Sequence, residues 1–126
     1  MFNEEYVAME KDLKVRSKAF AHRCVKLAIS LPKTKLGSHI EGQLIRSATS
    51  VAANYRAACI GQSKKSFIAK LSIAIEEVDE SNFWIEFLKD ENLLEKEKCE
   101  SLLMESAELT SIFIASRITA EKNMNR

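Results

Sequence analysis

Residues 42–59 read GQLIRSATSVAANYRAAC, and this stretch decides the fold. Leu44, Ala48, Val51, Tyr55 and Cys59 recur at spacings of four, three, four and four, which is one stripe of an α-helix. Ser47, Thr49, Ser50, Ala52, Ala53, Ala57 and Ala58 lie between them. Small residues on several faces let other helices approach closely, so this is a central helix with neighbours on more than one side.

The stretches on either side carry the same period. Leu13, Phe20, Cys24, Leu27 and Leu31, with Ala28 beside them, place a first helix at about 12–31. Residues 1–11 read as a polar lead, an amphipathic turn or an arm. Pro32 stops the first helix, because the residue before proline avoids the α region. Ser38 and Glu41 fit a capping box, so the central helix is expected over about 38–60. Gly61 supplies a left-handed stop.

Ser63 or Ser66 caps a third helix at about 63–90. Phe67, Leu71, Ala74, Val78 and Ile85 are its core stripe, with Ile75 and Asn82 flanking. Ile73, Glu77, Glu80, Trp84 and Phe87 mark another face, too apolar to be merely solvated. A fourth helix, about 95–122, carries Leu102, Leu109, Phe113 and Ser116 on one side, and Leu103, Ala107, Ile114 and Ile118 on another. No strand pattern or repeat interrupts this order. Short connections make successive helices antiparallel, giving one domain: an all-α, up-down-up-down antiparallel four-helix bundle. The surplus apolar faces predict a homo-oligomer.

Composition narrows the function. The 126 residues include three Gly and one Pro, so turns are few. No apolar run is long enough for a membrane span, and the acidic start does not resemble a secretory signal. Cys24, Cys59 and Cys99 are scattered, odd in number and without a CxxC pair, pointing to reduced thiols in a cytoplasm.

Net charge is +1, distributed unevenly. Residues 13–70 hold twelve bases against Glu41 alone, whereas thirteen acids oppose six bases after Lys70. The two halves can attract each other within the fold or between subunits, or the basic half can bind phosphate. Arg16, Arg23, Lys26, Lys33, Lys35, Lys64 and Lys65 are the candidate nucleic-acid residues. In a ring such a patch would repeat around the assembly. Aromatics are not interleaved with them, which speaks against base stacking.

Catalytic chemistry finds little support. Neither His22 nor His39 follows a glutamate by three residues, so the Glu-x-x-His pairs of a di-metal bundle are missing. No GxxxxGK loop occurs, and no serine or cysteine has a histidine suitably near in sequence. Glu77 and Glu80 share a helix face with Trp84, but Arg46 or Arg56 of the central helix is expected to take both acids and fix helix register. Asn54 is expected to bond a neighbouring helix. No cofactor, metal or enzymatic activity is expected. Arg46, Asn54, Arg56, Ile73, Glu77, Glu80, Trp84 and Phe87 are the candidate structural and oligomer-interface residues.

A resemblance covers about Phe20 to Ala120. Leu31-Pro32, Gly37, QLIRSATSVAANYRAAC at 43–59 and SFIAKLSIAIEEVDESNFWIEFL at 66–88 resemble the bacterial four-helix-bundle family, the 23S ribosomal RNA intervening-sequence proteins. Its Q-x-x-R-S/A-A-x-S-V/I-x-A-N segment falls on Gln43, Arg46, Ser47, Ala48, Ser50, Val51, Ala53 and Asn54. Its E-x-x-E-x-x-x-W segment falls on Glu77, Glu80 and Trp84. Many members read A-N-I-A-E-G where this chain has Ala53-Asn54-Tyr55-Arg56-Ala57-Ala58, so a Glu and a Gly are absent and Arg56 adds charge. The resemblance implies an up-and-down protomer assembling as a ring-like homopentamer. A related family, the accessory variability protein of diversity-generating retroelements, implies structured RNA or DNA, or a nucleic-acid enzyme such as a reverse transcriptase, as partner. The alternative is a purely protein-binding, self-assembling scaffold.

Overall fold

In a computed structural model the protein is described over residues 4–124, and these form four α-helices joined by short connections. They are α1 (Glu4–Ile29), α2 (Lys35–Cys59), α3 (Lys64–Asp90) and α4 (Lys96–Met124). At 25 to 29 residues each, they are rods of about 38–44 Å. Cross-helix pairs fix the direction of travel. Arg23 meets Ser101 and Arg16 meets Glu105, so α1 and α4 are antiparallel. Lys64 meets Asn123, Arg117 meets Ser72 and Lys89 meets Glu100, so α3 and α4 are antiparallel. α2 packs against both α1 and α3, and α1 meets α4 most sparsely.

The helical stripes read from the sequence converge on one core. Leu13, Phe20, Cys24, Leu27, Ala28 and Leu31 are buried from α1 and its exit. α2 contributes Leu44, Ala48, Val51 and Tyr55, and α3 contributes Leu71, Ala74, Val78 and Ile85. Leu102, Leu109 and Phe113 complete the core from α4. Four serines are buried with them: Ser17, Ser47, Ser81 and Ser106. None is orphaned. The Ser81 hydroxyl lies 2.9 Å from both Ser47 Oγ and the Glu77 carbonyl, and Asn82 Nδ2 donates to Ser106 Oγ at 2.6 Å. A small hydroxyl that bonds its own helix backbone takes little room, so α2 and α3 approach closely at Ser47 and Ser81.

The helix ends differ from the sequence expectation. α1 begins at Glu4 rather than near residue 12. Nothing between Glu4 and Ile29 breaks a helix, and Glu4 and Glu5 suit the positive N-terminal dipole. The expected capping box at Ser38 and Glu41 does not form. Thr34 is the cap of α2, and its Oγ1 accepts from the Gly37 N–H at 3.0 Å. Glu41 instead pairs with Lys33 at 3.3 Å. Gly37 is therefore inside the first turn of α2. It must be glycine because a Cβ there would lie 2.0 Å from the Pro32 carbonyl oxygen.

Gly61 does not adopt the left-handed conformation either. A Cβ at Gly61 would meet Ser66 Oγ at 2.9 Å, so close approach explains it. The left-handed residue is Asn92, with φ of 56° after α3. The Leu93 N–H bonds the Leu88 carbonyl and the Asn92 N–H bonds the Lys89 carbonyl, both at 3.0 Å. This is a Schellman ending, with Leu93 tucked against the core. Ser63 caps α3, accepting from the Ser66 N–H at 3.0 Å.

Candidate functional site

The face shared by α2 and α3 gathers most of the interface residues singled out in the sequence. Arg46 extends from α2 across α3. Its Nη1 donates to Glu77 Oε2 at 3.0 Å, and its Nη2 donates to Glu80 Oε2. Glu77 and Glu80 are three residues apart on α3, so both carboxylates point to the same side and one guanidinium takes both. Trp84, one turn further along, donates Nε1–H to Glu80 Oε2 at 3.1 Å. His39 closes the end of this row, edge-on to Trp84 with ring centroids 5.5 Å apart.

The electrostatics follow from these contacts. Partial burial pulls the Glu80 carboxyl upward, but hydrogen bonds from Arg46 and Trp84, with the charge of Arg46, outweigh it. The group sits below its ordinary value of 4.5. The Arg46 guanidinium is pushed further up, first by its hydrogen bond to Glu80. Both shifts favour the charged pair.

Beside this row lies an exposed aromatic ridge. Phe83 is 50% exposed and Phe87 38%, with Trp84 half-buried beside them; Ile73, 39% exposed, lies about three turns earlier on α3. Phe83 packs edge-on to Trp84 at 5.0 Å and tilted to Phe87 at 5.9 Å. Sequence reasoning missed Phe83, because it lies off the Trp84 stripe. Its proximity to both Trp84 and Phe87 was the available signal: residues 83, 84 and 87 form a contiguous arc on a helix.

Of the two arginines offered for the acids, Arg46 takes both carboxylates, and Arg56 is exposed near the C-terminus of α2. One expectation is corrected. Asn54 does not bond a neighbouring helix. Its Nδ2 donates to the Ser50 carbonyl and Ser50 Oγ of its own helix, each at 2.9 Å.

The seven candidate nucleic-acid residues are distributed over the bundle. Arg16 is bound across the α1–α4 seam, donating to Glu105 at 2.7 Å with Glu108 at 3.6 Å. Its guanidinium is pushed up chiefly by the Glu105 hydrogen bond. Arg23 donates to Ser101 Oγ at 2.6 Å on the same seam, and Lys26 is exposed nearby on α1. Lys33 and Lys35 stand at the α1–α2 connection, at one end of the bundle. Lys64 and Lys65 stand at the α2–α3 connection, at the other end, separated from them by the length of α2.

The three cysteines are free thiols, Cys24 and Cys99 buried and Cys59 half-buried. Burial pushes the Cys24 thiol up to about 12. Among the described residues, no group of three or more His, Cys, Asp or Glu side chains is placed to hold a metal ion. No helix among them is long and apolar enough to cross a membrane.

Comparison with known proteins fits this geometry. The profile described as 23S rRNA-intervening sequence protein matches residues 11–115. A crystal structure of a protein of unknown function from the S23 ribosomal protein family of Bacteroides thetaiotaomicron is similar at 33% sequence identity. The match covers 86% of this chain and 96% of that one, with a TM-score of 0.79. Among curated proteins, none matches. The chain spans nearly all of a solved relative, shares a third of its residues and matches the family profile over most of its length; it belongs to the 23S rRNA-intervening sequence protein family.

Proposed function

We propose that the protein is a non-enzymatic, self-assembling four-helix module whose subunits join through the aromatic ridge of α3. The observation that carries this reading is the contiguous exposure of Phe83, Trp84 and Phe87 beside the ordered Arg46–Glu77–Glu80 row. Aromatic rings next to a preorganised arginine cluster have the composition of an interface core. Trp84 packs partly against the core, whereas Phe83 and Phe87 expose aromatic surface that the protomer leaves uncovered. The ring-like homopentamer implied by the family resemblance is the closure we favour. A heterologous contact repeated by rotation joins α3 of one subunit to a different face of the next.

The same row supports the non-enzymatic reading. Arg46 holds the Glu80 carboxyl below its ordinary value, and a general acid at neutral pH needs the opposite shift. Light scattering on the purified protein tests the assembly. A mass near five protomers of 14.2 kDa is the expected result, and a mass of one protomer overturns it.

A second reading, a module that engages structured RNA or a nucleic-acid enzyme, draws on Lys35, Lys64 and Lys65. These are exposed and pair with no carboxylate among the described residues. In a ring they would repeat around the assembly, and binding would fall steeply with added salt. Filter binding to a structured RNA at low and physiological salt tests it. No retention at low salt excludes this reading and leaves the scaffold.

A further inference from the structure

At the end of the bundle that holds the α2–α3 connection, the core stops short of the surface. The buried Tyr55 and Phe113 rings stack at 5.2 Å and form a floor. Beyond them, small residues such as Ala58, Ala115, Ser116 and Ala120 leave a half-open cavity of about 600 Å³. Phe67 of α3 and Ile112 of α4 line its walls, with Met9 of α1 at the side where α1 and α4 meet most sparsely. The opposite end of the bundle is filled, by Leu31, Ile40, Leu88 and Leu102. The volume falls in the range of small-molecule sites, and the lining is mostly apolar with a few polar groups at the rim.

The rim has a definite charge. Lys64 stands there, its ammonium engaged among the described residues by the Asn123 carbonyl at 3.4 Å, and Lys65 follows it. Both belong to the first turn of α3, which contains no acidic residue to offset the positive end of the helix dipole. Among the described residues the one carboxylate on the cavity wall is Glu10, across from them on α1 with Lys14 at 3.6 Å. Cys59 adds no charge, because burial, opposed by Tyr55 and reinforced by Glu10, pushes its thiol up to about 11.

We infer that this cavity binds a small amphipathic carboxylate of the fatty-acid class. Its chain lies between Phe67 and Ile112 above the Tyr55–Phe113 floor, and its head meets Lys64 at the start of α3. The apolar walls exclude a fully polar ligand, and the cationic rim selects an anionic head over a cationic one.

Isothermal titration with dodecanoate, below its micelle concentration, tests the inference on the whole protein. Binding of one dodecanoate per protomer with Kd of about 10–100 μM is expected. Dodecyltrimethylammonium should bind at least tenfold more weakly. Lys64→Glu, an exposed position, should weaken dodecanoate about tenfold, the worth of one charge-assisted contact. Ala115→Trp, at the exposed mouth, should abolish binding. No heat with wild-type protein, or equal affinity for the cationic detergent, overturns the inference. Binding unchanged in Ala115→Trp places the ligand elsewhere and overturns it as well. Light scattering on the same samples separates this site from a subunit contact: the mass should not change with ligand, and a ligand-driven fall in mass assigns the cavity to a second copy instead.

Discussion

The α2–α3 and α1–α4 seams are closed by the same device, an arginine of the earlier helix held by acids of the later one. Arg46 takes Glu77 and Glu80; Arg16 takes Glu105 and lies near Glu108. Their surroundings differ. Beneath Arg46, buried Ser47, Ala48, Ala74 and Ser81 bring α2 and α3 close, and outside it stand Phe83, Trp84 and Phe87. Along the seam of Arg16 the helices touch sparsely, and the surface beside Arg23, one register further on, is polar, with Glu97, Glu100 and Ser101 next to the exposed Met104. An ion pair on its own thus says little about role. In the proposed assembly the pair beside aromatic side chains frames an interface, whereas the pair beside solvated acids only joins two helices.

Six substitutions break or sharpen this contrast. The largest effect is expected away from either ion pair. Phe113→Ala removes a fully buried ring stacked on Tyr55 and should cost about 3–5 kcal/mol in urea unfolding. Next is the close seam: Ser81→Leu adds volume where Ser81 meets Ser47 and should cost about 1–3 kcal/mol. The same change at the exposed Ser101 of the sparse seam should cost less than about 0.5 kcal/mol. Equal losses at Ser81 and Ser101 would erase the distinction between the seams.

The arginines come third. Arg46 is half-exposed, so Arg46→Ala should lower protomer stability by only about 0.5–1 kcal/mol. The larger consequence is expected in assembly. Arg16→Ala should have a stability cost of the same order and leave the subunit mass unchanged. The smallest effect is the pH dependence. Glu80 has its folded value below 4.5, so its contribution is complete above that value and is lost as pH falls through the folded value. Glu80→Gln should therefore flatten the acid limb of the stability curve below about pH 4.5 and leave the neutral limb parallel to wild type.

Much of the fold was legible because one period, repeated four times, settles both helix type and buried face. Leu44, Ala48, Val51 and Tyr55 of the central stripe are buried as read, and Cys59 at its end is half-buried. The Arg46 pairing was legible too, since Glu77 and Glu80 share a face and α2 precedes α3 through a short turn. The ends were not. Ser38 and Glu41 have capping-box spacing, but Thr34 stands one turn earlier, and Gly37 is needed where the chain passes Pro32. A local pattern does not reveal a backbone contact five residues away. The basic residues misled for a related reason. Sequence adjacency puts Lys33 and Lys64 in one basic half, whereas an up-and-down path carries their connections to opposite ends. The cavity above Tyr55 was hidden because small residues on a helix look the same whether a neighbour fills the space or not.

The central claim is that the α3 ridge joins subunits and is not needed to fold one. Light scattering with parallel thermal unfolding of the Phe83→Ser/Phe87→Ser double variant tests it most directly. Both side chains are substantially exposed, so the protomer should keep its helical content. The account predicts an oligomeric wild type and a variant whose mass falls to one protomer of 14.2 kDa. A variant that keeps the wild-type oligomeric mass, or a wild type already at 14.2 kDa, would contradict it.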